Sequence, residues 1–176
     1  MADQYITNSG DVAGAATKTI LSLIAGSTKR VFITRIVISC SGTPSDTQIQ
    51  MALKQFTTDG TGTAVTPAAL DRLAPASIAT SKKNYTVEPT ISLVTLDIQA
   101  FHMRQAYIWP LPVPIVIDVS KGFMVQMQTS NTQNYNVVRV TLAFTRTAGA
   151  FTMTIRLREI GFVAKKTVSF SSETLY

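Results

Sequence analysis

Thr, Val and Ile account for 55 of the 176 residues, as 25 Thr, 15 Val and 15 Ile. Branching at Cβ makes these side chains stiff at χ1 and fits them to a pleated surface. A chain so enriched is expected to be all-β. At 176 residues it holds one hydrophobic core more comfortably than two. Charged residues make up only 15% and apolar residues 45%. Disorder of the whole chain is not expected, because disorder needs low hydrophobicity and high charge.

The same composition argues against several functions. A Cys/His zinc site needs about four such ligands, and the chain has one His and one Cys. A lone Cys40 leaves no internal disulfide. No apolar run reaches the length of a membrane span. Met1 to Gly10 is polar and carries Asp3, unlike a signal peptide. The expectation is a soluble protein, made inside the cell and kept reduced, with no cofactor and no membrane.

Residues 1–16 are small and polar and show no strand or helix period, which predicts a flexible N-terminal arm. Strand patterning begins with Thr17 to Ile24 and stops at Ala25-Gly26-Ser27. Lys29 to Cys40 follows, with Val31, Ile33 and Arg35 on one face and Phe32, Thr34, Ile36 and Ile38 on the other. Thr47 to Phe56 shows the cleanest alternation, with Ile49, Met51 and Leu53 as the apolar face. The segment 57–81 is long for a hairpin connection. Within it, Thr66-Pro67 can open a short helical turn. Further strands are read at Asn84 to Glu88, Ile91 to Phe101, Tyr107 to Trp109, Ile115 to Val119, Phe123 to Thr129 and Tyr135 to Thr145. Pro110, Pro112 and Pro114 place the corner after Trp109 at a sheet edge or between sheets.

The predicted body is thus an antiparallel β-sandwich or jelly roll of about eight strands over residues 17–147. Residues 148–176 form a β-rich C-terminal extension. There Phe151, Met153, Ile155 and Leu157 alternate with Thr152, Thr154, Arg156 and Arg158, and Lys165-Lys166 and Tyr176 follow. Strand addition to a neighbouring subunit is one use for such a segment. Phe151, Met153, Ile155, Arg156, Leu157, Arg158, Lys165, Lys166 and Tyr176 are the candidate partner contacts.

No constellation for catalysis stands out. His102 lies beside Phe101 and Met103 with no G-x-S-x-G elbow, and a structural role is the simpler reading. Cys40 ends a strand with no flanking cation to activate it. Asp97 and Asp118 are the acids a sandwich can bring close, though Asp118 before Ser120-Lys121-Gly122 also reads as a turn residue. Asp59-Gly60-Thr61-Gly62 lacks the later ligands of a calcium loop. The net charge is +6, but Lys82-Lys83 and Lys165-Lys166 are too sparse for a nucleic-acid arm and read as solvated. That charge favours an acidic protein surface as partner.

The order of segments carries a resemblance. Ala15-Ala16-Thr17-Lys18-Thr19-Ile20-Leu21 leads to Lys29-Arg30-Val31 and then to Ser39-Cys40-Ser41-Gly42-Thr43. Thr66-Pro67-Ala68-Ala69-Leu70-Asp71, Thr86-Val87-Glu88-Pro89-Thr90, Phe101-His102, Tyr107-Ile108-Trp109-Pro110-Leu111 and Lys121-Gly122 follow in turn. From Ala15 to Thr145 the chain resembles small jelly-roll proteins of tailed-bacteriophage virions, which include capsid decoration and cement proteins. The resemblance implies a non-enzymatic virion protein on the capsid surface, made in the host cytoplasm. It implies binding to the major capsid protein as a homo-oligomer, such as a trimer, without nucleic acid. The competing expectation is a tail- or spike-associated recognition module for host glycan or protein, with Tyr85, Tyr107, Trp109 and Tyr135 as stacking residues. A coat subunit that packages RNA would need a basic inner arm, and the only charges in residues 1–16 are Asp3 and Asp11.

Overall fold

A computed structural model of the chain describes residues 4–41, 46–129, 134–144, 152–159 and 162–169. Every regular element among them is a β-strand, and every pairing is antiparallel. The chain divides into two compact units, Met1–Thr145 and Arg146–Tyr176.

Two sheets make up the first unit. Its strands are β1 (Gln4–Thr7), β2 (Asp11–Ala13), β3 (Thr19–Ile24), β4 (Val31–Ser41), β5 (Gln48–Thr58), β6 (Thr61–Val65) and β7 (Ala68–Ala69). After them come β8 (Thr80–Val87), β9 (Thr90–His102), β10 (Tyr107–Trp109), β11 (Ile115–Ile117), β12 (Gly122–Met127) and β13 (Asn134–Phe144). One sheet runs β10-β4-β13-β1-β7, with β11 also on β4 and β2 also on β13. The other runs β6-β8-β3-β12-β5-β9. The pairings nest: β1 with β13, β3 with β12, β4 with β10 and β11, and β5 with β9.

One apolar core draws on both sheets. Tyr5, Val31, Ile33, Ile36, Ile38, Trp109 and Ile117 come from the first sheet; Ile20, Leu21, Leu23, Ile49, Met51, Leu53, Phe123, Val125 and Met127 come from the second. The expected apolar face of β5 is on the core side. In β4 the expected faces do not hold along the whole strand. Val31, Ile33, Ile36 and Ile38 are all buried, because the pairing with β13 shifts register opposite Thr34 and Arg35. A bulge there adds one residue, so the side-chain alternation changes face and both apolar halves reach the core.

Two further expectations are corrected. The segment 1–16 is not a free arm along its length, since β1 and β2 both pair with β13 and bury Tyr5 and Val12. Small polar residues flank just two apolar anchors there, too few to show a period. The helical turn expected after Thr66 is instead β7, whose two residues pair with Tyr5 and Ile6. Backbone hydrogen bonding to the exposed flank of β1 outweighs the local preference of Pro67.

The second unit contains β14 (Thr152–Glu159) and β15 (Phe162–Ser169), paired with each other. Register sets Met153 opposite Val168, Leu157 opposite Ala164 and Arg156 opposite Lys165.

Candidate functional site

A group of mutually bonded polar side chains lies where the β6–β8 hairpin meets β3. Tyr85, on β8, is 2% exposed. Its hydroxyl is hydrogen-bonded with Ser22 Oγ on β3 and donates to Asp59 Oδ1 at 3.2 Å. Asp59 sits at the turn between β5 and β6, and its other oxygen forms an ion pair with Lys82 Nζ. Lys82 also donates to the Gly60 carbonyl at 3.2 Å. Beside them, Thr19 N donates to Glu88 Oε2 at 3.0 Å, and Lys18 Nζ lies 3.8 Å from Glu88 Oε1. Lys18 also donates to the Tyr85 carbonyl.

Burial, more than any other cause, pushes the Tyr85 phenol above the usual tyrosine range; the bond from Ser22 opposes this and the nearby Asp59 and Glu88 charges add to it. The phenol therefore stays protonated at neutral pH and serves as a donor, not a nucleophile. What the arrangement does chemically is brace the hairpin against β3. The neutral tyrosine is favoured by the fold, so its contribution to stability is complete below the unfolded pKa of about 10 and is lost as pH rises above it. Tyr85→Phe should flatten the fall of stability in that alkaline window, measured by urea titration at a series of pH values. An unchanged slope would remove Tyr85 from the account.

Sequence reasoning missed this group. Lys82 was expected to be solvated, and Asp59 was read only as part of a failed calcium loop. The available signal was the pair Asp59-Gly60 at one end of a hairpin and Lys82 at a register position near the other.

Other predicted residues are kept apart. Asp97, on β9, accepts the Trp109 indole N–H at 2.8 Å and both Gln99 contacts at 3.2–3.3 Å. Asp118 follows β11, forms an ion pair with Arg30 at 2.7 Å, and closes a turn through its carbonyl to Lys121 N at 3.1 Å. The two acids thus serve different partners, and no facing carboxylate pair is assembled from them. His102 Nε2 lies 2.9 Å from Asp46 Oδ1, with Arg104 Nε 3.4 Å from the same oxygen, on an exposed surface. Cys40 is half-buried on β4. Among the described residues, no group of three or more His, Cys, Asp or Glu is placed to hold a metal ion.

The proposed stacking residues are mostly unavailable. Tyr85 and Trp109 are each 2% exposed. Tyr107 is half-buried, with its ring stacked on Phe101 at 4.9 Å and 2°. Both rings are used inside the fold because β10 sits against β4 at the rim of the core. The Tyr85 and Trp109 part of the glycan-stacking expectation is therefore withdrawn; the Tyr135 side chain lies outside the described residues.

Of the candidate partner contacts, Met153, Ile155, Arg156, Leu157 and Arg158 fall on β14, and Lys165 and Lys166 fall on β15. For these seven the description covers backbone pairing alone, and Phe151 and Tyr176 lie outside the described residues.

An open cavity of about 250 Å³ occupies the opposite end of the first sheet from β7. Gln55, Phe56, Thr57, Val116, Asp118 and Lys121 line it. Phe56 is its buried floor, while Val116, Asp118 and Lys121 are exposed at its mouth. No protein-family model, curated protein or solved structure matches the chain.

Proposed function

We propose that this chain is a non-enzymatic structural subunit of a tailed-bacteriophage virion, a jelly-roll body that decorates or cements the capsid by binding the major capsid protein. The observation that carries the reading is the nested pairing. Taking β1 with β2 as the first strand and β10 with β11 as the sixth, the eight principal strands pair first with eighth, second with seventh, third with sixth and fourth with fifth. The two sheets then order 6-3-8-1 and 2-7-4-5, an order that supports the jelly-roll reading. The hairpin β6–β8 is an insertion between the fourth and fifth strands that extends one sheet.

Jelly rolls form capsid subunits, lectins and cupins. The burial of Tyr85 and Trp109 takes two aromatic platforms from the lectin reading. The braced hairpin and shared core suit a stiff body whose work is geometric. The second unit, residues 146–176, supplies the partner-binding segment in this reading. Multivalent attachment around a symmetry axis then gives avidity from weak single contacts.

Mass spectrometry and electron microscopy of purified particles test the proposal. The expected result is a copy number set by icosahedral symmetry and density on the capsid surface. Absence from particles, or a few copies confined to the tail, would overturn it. Removing residues 146–176 should leave the β-type circular dichroism of the body intact and weaken capsid binding. Undiminished binding would take that unit out of the mechanism.

A further inference from the structure

Asp59 and Lys82 face each other with little freedom to part. The Asp59-Gly60 turn lies directly against the end of β8, where a Cβ at Gly60 would sit 2.0 Å from the Val87 carbonyl oxygen. Asp59 Oδ1 accepts from the Tyr85 hydroxyl at 3.2 Å, and Asp59 Oδ2 is in direct contact with Lys82 Nζ. That nitrogen also donates to the Gly60 carbonyl at 3.2 Å, so it is fixed at two points beside the carboxyl group. Tyr85 is fixed in turn, 2% exposed and bonded to Ser22 Oγ. The pair is shielded as well as positioned. Lys82 and Asp59 keep 28% and 27% of their side-chain surface exposed, against 62% for each partner of the Arg30–Asp118 pair.

An ammonium and a carboxylate in contact hold the atoms of an amide plus one water. Between free molecules in water the condensation is disfavoured, because the amine is protonated and water is in excess. Orienting both groups raises their effective concentration to about 10⁵–10⁸ M, and partial exclusion of water works in the same direction. The oxygen that gains charge during the reaction also needs a donor aimed at it. The Tyr85 phenol supplies one at Oδ1. Burial holds that phenol above the usual tyrosine range, so it keeps its proton.

We propose that Asp59 Cγ and Lys82 Nζ join in an isopeptide bond, a covalent cross-link between the β5–β6 turn and β8. A proton passes from Nζ to Oδ2 within the ion pair, which leaves a neutral amine as nucleophile. The amine adds to Cγ, and the charge that develops on Oδ1 is met by the Tyr85 hydroxyl. A second lysine proton reaches Oδ2, the Cγ–Oδ2 bond breaks, and water leaves. The amide keeps the third proton. One positive and one negative charge are consumed together, and no oxidant or co-reactant is required. The bond joins residues 23 apart in sequence and keeps that loop closed in the unfolded chain, which lowers the entropy of unfolding. The inference rests on the Tyr85 brace and stands separately from the virion reading.

Intact-mass spectrometry of the purified full chain tests it, followed by tryptic mapping. The wild type should be lighter than its sequence by one water, and a branched peptide should join Asp59 to Lys82. Lys82→Arg keeps the ion pair and cannot form the amide, so it should regain the water with far-UV circular dichroism unchanged. The same variant separates the cross-link from a cyclic imide at Asp59-Gly60, which also loses water but does not need Lys82. Tyr85→Phe removes the donor and should slow closure by about a hundredfold, read from the mass of protein sampled at intervals after a pulse of synthesis. A wild type at the full mass of its sequence, a loss of water that survives Lys82→Arg, or a branched peptide joined at other residues would each overturn the proposal. An unchanged rate in Tyr85→Phe would overturn the role given to the phenol.

Discussion

Trp109→Ala is expected to cost the fold about 3–5 kcal/mol, the range for deleting a buried aromatic side chain. Trp109 is 2% exposed and joins the two sheets at one side. It lies on β10, which pairs with β4, while its indole N–H donates at 2.8 Å to Asp97 on β9 of the other sheet. Its ring meets Tyr107 edge-on at 5.9 Å and 73°, and Tyr107 in turn stacks on Phe101. Removing it leaves a cavity, unseats Tyr107 and takes one donor from a carboxylate. Urea unfolding followed by far-UV circular dichroism measures the loss, since the chain's one tryptophan is gone. Trp109→Phe separates the contributions. It keeps most of the volume and loses the charge-assisted hydrogen bond, so about 1.5–3 kcal/mol is expected. Equal losses for the two variants would mean that packing contributes little.

Gly122→Ala is the second large effect, about 1–3 kcal/mol or somewhat more. Gly122 begins β12 directly across from Phe56 on β5. A Cβ there would lie 2.1, 2.2 and 2.5 Å from three atoms of the Phe56 ring. The ring therefore lies over the glycine and must shift to admit a methyl group. Phe56→Leu combined with Gly122→Ala should destabilise less than the sum of the two single changes, because shortening Phe56 removes the ring atoms that the new methyl group would strike. Strict additivity would show that the steric contact is not the cause.

Much of the fold was legible. Branched residues marked the chain as β, and the alternation in Ile49, Met51 and Leu53 gave the right face of β5. The prolines after Trp109 pointed to a corner at a sheet edge or between sheets, and β10 does lie at the end of the first sheet. Alternation marks the core face of a strand but not the burial of its opposite face. On β12 the core side holds Phe123, Val125 and Met127, while Met124 and Gln126 are buried too. Met124 accepts from Thr19 Oγ1 at 3.3 Å; Gln126 accepts from Lys54 Nζ at 2.8 Å and donates to the Thr17 carbonyl at 2.9 Å. Those partners come from neighbouring strands, so no local window contains them. The face change in β4 was hidden for a similar reason, since a bulge is a property of the pairing with β13. At the Tyr85 brace the residues were visible, but Ser22, Asp59 and Lys82 are brought together only by the sheet.

The nested pairing also dictates a timetable. Gln4 pairs with Ala143 and Val31 with Phe144, so the first strands made on the ribosome wait for nearly the last strand of the body. Contacts this distant in sequence close large loops before they are rewarded, which places folding on the millisecond-to-second scale of all-β domains. Until β13 arrives, β1, β2 and β4 present unpaired backbone to whatever is nearby. The middle of the chain, β3 with β8 and β5 with β9, closes earlier over shorter spans. The chain is therefore most vulnerable to aggregation during synthesis, and a truncation that removes β13 should yield insoluble protein.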